Sequence, residues 1–240
     1  MSKNKKITVT NTELATQSNH LIEASYKMSV PAKRVMLMLL SEIHPLQQDV
    51  SKKIRIDAVD YAEKTGVPKK IAYRDIKKGC RELMRTIITT RDSKAKTTQE
   101  CVVVNWMEYH DNEGWLDAKF TPWIAPYIHH LSKIGYTTIA VNDALRFRRF
   151  YTVRFYELLM QFVSSGERHI TVDDLREKFQ IEKGKYGRFI DFKRRVIKPS
   201  ITEIEEKTDW LISWDVVKKG REIKSLAFVF EKNDQHSFTF

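Results

Sequence analysis

A repeated order of elements restricts the fold more than any other feature of this chain. In the first half, Ile54-Arg55-Ile56 alternates like a short strand, and Asp57 is placed to cap a short helix to Lys64. Thr65-Gly66-Val67 makes a turn, and Pro68 starts a second helix that runs to about Arg85. Thr86 to Thr90 and Cys101 to Trp106 are β-branched, strand-like stretches, separated by a polar segment with Arg91, Lys94 and Lys96. In the second half, His169-Ile170-Thr171 is a short strand, and Thr171-Val172-Asp173-Asp174 resembles a capping box with Asp in place of Glu. A helix to Phe179, a turn around 180–184 and a long helix from about Gly187 to Lys207 follow. Strands at 210–217 and 222–230 are joined by Lys218-Lys219-Gly220-Arg221. Laid over each other at one offset, Ile56 falls on Ile170, Glu63 on Glu177, Lys64 on Lys178, Val67 on Ile181 and Ile76 on Ile190. Strand, helix, turn, helix and hairpin is the order of a winged helix-turn-helix. The expectation is an α+β protein of two tandem winged-helix domains related by a pseudo-twofold internal repeat.

Residues 1–18 read as a flexible polar arm, 19–132 as the first domain and 136–240 as the second, with the boundary near 132–135. After Pro31 the run Val35, Met36, Met38, Leu39, Leu40 and Ile43 is apolar nearly all round, as is 150–162, so both predict buried helices.

Forty-two Lys and Arg against 31 Asp and Glu give a net charge of +11, spread over both halves and not confined to a tail. A basic folded chain points to nucleic acid, an anionic membrane surface or an acidic partner. With hydrophobic residues at 42%, a core can be buried. Two cysteines, Cys80 and Cys101, are too few for a disulfide framework and suggest a reducing cytosol. No apolar leader opens the chain and no run of about 18 apolar residues occurs, so a cytoplasmic protein without a membrane span is expected.

Wound at about 100° per residue, the helix after Gly187 sorts its side chains. Phe189, Ile190, Phe192, Val196, Ile197, Ile201 and Ile204 fall on one side; Arg188, Arg194, Arg195 and Lys198 fall on the other, with Asp191 among them. A helix packed on one face and basic on the other is what a major groove accepts, and an arginine fork can bind guanine or phosphate. Lys185 and Tyr186 sit at its N-terminus, and Lys218, Lys219 and Arg221 form a wing-like tip. Pro199 should kink the helix. The first domain has the same design, with Lys70, Arg74, Lys77, Lys78 and Arg81 opposite Ile76, Cys80 and Leu83, and with Arg91 and Lys94 in the loop of its hairpin. Such faces are also simply solvated in many proteins. Here the element order and the basic tip favour DNA.

Other chemistry fits poorly. His129 and His130 are adjacent and point to different sides of a helix, and they lack the spacing of rolling-circle nickases. No Cys-x-x-Cys pair and no phosphate-binding Gly-rich Lys motif occurs, and Asp173-Asp174 suits a helix cap. No metal, cofactor or catalytic residue is expected. The five tryptophans, Trp106, Trp115, Trp123, Trp210 and Trp214, are assigned to strand and helix cores. Cys101 to Trp106 carries no charge and no Pro, so it is either an interior strand or an edge open to pairing, with Val102, Val103 and Val104 as dimer contacts.

The stretch Asn19 to Ser29 (NHLIEASYKMS) resembles the opening of iteron-binding plasmid replication initiators. Tyr151 to Leu159 (YTVRFYELL) is similar to the helix that opens their second domain, and Phe192 to Pro199 (FKRRVIKP) to their main DNA-reading helix. The family more often has a polar or acidic residue where this chain has Pro31. The resemblance implies two winged-helix domains, the second making most specific contacts to origin repeats (iterons), the first adding backbone contacts and the dimer interface. It implies monomers on iterons, homodimers repressing their own promoter at an inverted repeat, and recruitment of the host initiator ATPase and replicative helicase, with no catalytic centre. A two-domain transcriptional repressor is the nearest alternative. A nicking enzyme and a basic adaptor without DNA specificity are further ones.

Overall fold

The computed structural model describes residues 13–43, 52–92, 96–110, 113–128, 131 and 135–233. Strand β2 (Ile54–Asp57) runs directly into helix α3 (Ala58–Thr65), because the Asp57 carboxylate accepts the backbone N–H groups of Val59 and Asp60. Helix α3 stops at Gly66, whose φ of +72° is a left-handed cap that a side chain would strain. Helix α4 (Lys69–Leu83) follows and buries Ala72, Ile76, Gly79, Cys80 and Leu83. Against it lies α2 (Val30–Ser41), with Pro31 in its first turn and the Ser29 hydroxyl accepting from Ala32 N–H. The contact is close: a Cβ on Gly79 would stand 2.8 Å from the Pro31 carbonyl oxygen. Burial there pushes the Cys80 thiol up to about 12.

The β-branched segments resolve differently from the expectation of one hairpin. Strand β3 (Ile87–Asp92) pairs with β4 (Thr97–Val102), but the chain bends at Val103 and starts a new strand, β5 (Val104–His110). Thr121 fixes the bend, its N–H donating to Val103 O and its hydroxyl to Val102 O. Val103 and Val104 are both fully buried, so they are core and not outward dimer contacts; Val102 alone stays partly exposed. Strand β5 pairs with β6 (Trp115–Phe120), giving a sheet of order β2-β6-β5.

The second unit has β8 (Glu167–Thr171), α8 (Val172–Lys178), a long helix, and then β9 (Trp210–Lys219) and β10 (Glu222–Lys232) in the order β8-β10-β9. Thr171 caps α8 by accepting from Asp174 N–H. The long helix is α9 (Phe189–Phe192), a π-helical turn (Lys193–Ile197) and α10 (Lys198–Lys207). The two sheets match, with the strand before the first helix pairing with the last strand of the hairpin. The wing of the first unit is therefore β5–β6, and β3–β4 is an additional ladder.

Two further segments tie the units together. Leu14–Ser18, expected in a flexible arm, forms strand β1 and pairs antiparallel with β7 (Tyr136–Ala140). The expected boundary at 132–135 thus precedes a strand bonded to the opposite end of the chain. After α1 (Asn19–Glu23), α5 (Ala125–Ile128) and α6 (Val141–Arg146) comes α7 (Phe150–Met160), buried at every residue but Tyr151. One side of α7 packs Phe155 on Phe179 and Phe228 of the second unit. Its other side carries a fully buried charge network. Glu157 accepts from Lys33 Nζ at 2.7 Å, Arg154 at 2.8 Å and Gln17 Nε2 at 2.8 Å. Arg154 also donates to Tyr26 Oη and to the Ile22 and Ala24 carbonyls. Burial alone would raise the Glu157 carboxyl, but Lys33 and Arg154 hold it below the usual carboxylate range. No helix among the described residues is long and apolar enough to cross a membrane.

Candidate nucleic-acid interface

The basic face of the second unit rests on a helix that cannot wind regularly. Pro199 lacks an N–H, and in an α-turn its ring would strike the Arg195 carbonyl. The expected kink takes the form of the π-turn just ahead of it, where Lys198 N–H reaches back to Lys193 O. Phe192, Val196, Ile197, Ile201 and Ile204 hold the inner side in the core. Arg188, Arg194, Arg195 and Lys198 are exposed on the other side, as expected from the spacing. Asp191 lies between them, its carboxylate 2.9 Å from Arg188 Nε and 3.2 Å from an Arg194 nitrogen. The Arg188 hydrogen bond, with Arg194 and Arg195 nearby, holds the Asp191 carboxyl below its ordinary value. Arg195 and Lys198 make no hydrogen bond or ion pair among the described residues.

Ile190 was expected on the apolar side and is instead 57% exposed. The helix starts only at Phe189, and with the core side filled by Phe192 and Val196, Ile190 falls one turn before Arg194 on the open face. Lys185 is exposed and Tyr186 half-buried at φ +53°, in the loop that enters the helix. Spacing did not reveal what holds that loop. Arg176 of α8 donates to the Tyr186 carbonyl at 2.7 Å and lies over the Phe192 ring at 4.5 Å. Lys193 stays on the helix flank over the Trp214 ring, at 5.0 Å. At the wing tip Lys218, Lys219 and Arg221 are exposed around Gly220, whose φ of +63° lets the two-residue turn close.

In the first unit, Lys70, Arg74, Lys78 and Arg81 are exposed along α4. Lys77 departs from this stripe and lies over the Tyr109 ring of β5 at 4.2 Å, half-buried. Lys69 and Arg85, not singled out by spacing, extend the exposed basic face at either end of α4; their adjacency to Lys70 and Thr86 was the only signal. A cleft lined by Lys27, Lys78, Arg81, Arg85, Thr89 and Gln180 joins the C-terminal end of α4 to the second unit. Arg91 is drawn into the junction, 2.6 Å from Glu177 of α8, and Lys27 sits 2.8 Å from Glu182. Lys94, His129 and His130 lie outside the described residues.

The outer face of the first wing is polar and aromatic. Lys53 and Lys119 flank the Trp106 ring, and Arg55 and His110 flank Trp115. Trp123 is 77% exposed, against its expected core place, because the short helical turn from Pro122 points it outward. Glu108, His110 and Asp117 bring ligand-type atoms within 4.8 Å of one another. Lys53 already lies 2.8 Å from Glu108, and Arg55 lies 3.6 Å from Asp117. The cluster is accounted for as an ion-pair network.

Two winged-helix family models match along the chain. The family model "Initiator Replication protein, WH1" matches residues 14–160, and "Initiator Rep protein, WH2" matches 171–230. The "PI protein" of Escherichia coli is 32% identical, the match covering 88% of this chain and 80% of that protein. A "Replication initiation protein" of Escherichia coli is 23% identical over 91% of this chain and 70% of its own length. A solved structure, described as the Pi initiator protein in complex with iteron DNA, superposes with a TM-score of 0.81. It is 29% identical, and the match covers 92% of this chain and 98% of that one.

Proposed function

Because the chain belongs to the initiator replication protein family, we propose that it starts plasmid replication by binding repeated origin sequences through the open face of the helix at 189–207. The observation that carries this reading is the exposed set Arg188, Arg194, Arg195 and Lys198 on a helix whose inner side is core. The similarity to a protein solved with iteron DNA supports it. In this reading the second domain, within 136–240, makes the specific contacts, with Lys185 and Tyr186 at the base edges and Lys218, Lys219 and Arg221 on backbone. The first domain, within 19–132, adds backbone contacts through Lys70, Arg74, Lys78 and Arg81. Binding of the full chain to its own origin repeat and to a scrambled duplex, at fixed salt, tests the proposal. Equal affinity for both would remove it.

The protein acts without a catalytic centre, so supercoiled origin DNA stays unnicked with magnesium present. It recruits the host initiator ATPase and replicative helicase, which co-sedimentation with each partner on origin DNA tests. It also forms a homodimer in exchange with monomer. Strand β3 is bridged on its free side to Ser25, while β4 has no strand on its outer side among the described residues. That open edge favours a second activity, repression of its own promoter as a dimer at an inverted repeat. Thr89 spends its N–H and carbonyl on Ser25, so by alternation the outward N–H groups of β4 are those of Thr98 and Glu100; sedimentation of Thr98→Pro tests the edge, and an unchanged dimer places the contact elsewhere.

A further inference from the structure

Ile190 is an apolar side chain set among charges, outside the core. It is 57% exposed in the first turn of α9, and Arg194, with its side chain 66% exposed, follows one turn later. Lys198 continues the same ridge, also exposed. Single apolar residues on surfaces are ordinary. This one stands at the N-terminal end of the helix that the proposed function puts against DNA, the part that reaches base edges. A β-branched residue also suits an exposed helical turn less well than Ala. In the major groove the one apolar group among the base-edge features is the 5-methyl of thymine.

Resting on that reading of the helix, we propose that Ile190 is a specificity-determining residue that packs against a thymine methyl in the recognised repeat. The neighbouring geometry adds a register. Asp191 holds the Arg194 guanidinium from one side at 3.2 Å, which limits its rotation and leaves its outer edge for a guanine. Residues four apart on a helix are about 6 Å from each other, and base pairs rise about 3.4 Å. The thymine read by Ile190 therefore lies within about two base pairs of the guanine read by Arg194.

The test uses the full chain and the tightest duplex that it selects from a random-sequence pool. Thymines are replaced one at a time by deoxyuridine, which removes only the methyl group. At one position uracil should weaken wild-type binding about fourfold, the equivalent of about 0.8 kcal/mol for one buried methyl. Ile190→Ala should lose a similar factor on the thymine duplex and become indifferent to uracil at that position. Ile190→Val should keep most of the discrimination. Ile190→Ala binding as tightly as wild type, or staying sensitive to uracil everywhere, would overturn the proposal. Arg195→Ala is measured alongside. If it loses binding while Ile190→Ala does not, only the thymine contact falls. If neither loses binding, the assignment of the helix to DNA falls with it. The substituted side chain is exposed, so an unchanged melting temperature will separate loss of contact from loss of fold.

Discussion

Arg154–Glu157 and Asp191–Arg194 are both acid–arginine pairs three residues apart on a helix, yet the fold uses them in opposite ways. The first is fully buried on α7 at 2.8 Å, boxed in by Lys33, Tyr26 and Gln17. The second is at the surface at 3.2 Å, with the arginine's outer edge open. An arginine and a carboxylate three residues apart hold the molecule together in one place and face outward in the other, with Glu after Arg in the first and Asp before Arg in the second. What separates them is desolvation. A buried charge needs all its partners, whereas an exposed pair is screened and can exchange one partner for a ligand.

That contrast can be broken most directly at Glu157. Glu157→Gln should cost about 3–5 kcal/mol of stability in urea unfolding, because Lys33 and Arg154 are left buried without a counter-charge. A loss below 1 kcal/mol would mean the network is hydrated and the contrast is false. Acid sharpens the same point. The Glu157 carboxyl is depressed in the folded state, as are those of Glu23 beside Arg168 and Glu203 beside Thr152 and Lys207. Their contribution is full above the unfolded-chain value, about 4.3, and is lost as pH falls through the lower folded values. Wild type should therefore lose stability steeply below about pH 4, and Glu157→Gln should lose less over the same interval.

At the open pair the effect moves from stability to binding. Arg194→Ala or Arg195→Ala should weaken specific binding by about 1–3 kcal/mol at an unchanged melting temperature. Equal loss on scrambled DNA would convert either arginine to a backbone contact. Binding of the full chain should fall with salt at a log–log slope of about −5 or steeper, and Lys218→Ala should reduce that slope by about 1 on every sequence. The smallest expected effect is at the clamp itself. Asp191→Asn should leave the melting temperature alone and broaden base preference as Arg194 gains freedom. A tighter preference would show that the carboxylate itself meets a base.

The local signals in the chain were informative wherever neighbours in sequence are neighbours in space. The Asp57 and Thr171 caps, the core side of the helix at 189–207 and the basic tip at Lys218, Lys219 and Arg221 all follow from such spacing. Strand β6 was missed although Leu116, Ala118 and Phe120 alternate with Trp115, Asp117 and Lys119, because a tryptophan on the outer face blurs the pattern. Strand β1 is polar and pairs with β7 near the middle of the chain, so no short window reports it. The reversal at Ile190 depended on where the helix begins. The pairing of Lys33 with Glu157 was not legible, because the two lie far apart in sequence.

Helix α7 serves two cores at once, Tyr26 and Lys33 on one side and Phe179 and Phe228 on the other. A shared spine of this kind is a gauge. If both basic helices sit on one duplex, as proposed, the distance between their footprints is set by this shared packing. Each base pair inserted between the footprints shifts them by about 3.4 Å and turns them by roughly 35°. Two inserted pairs already move the second footprint by about 7 Å and turn it by roughly 70°. If both helices meet one duplex, as proposed, repeats are selected by span as well as by letters, and a repeat with every base intact but the wrong length should bind more weakly.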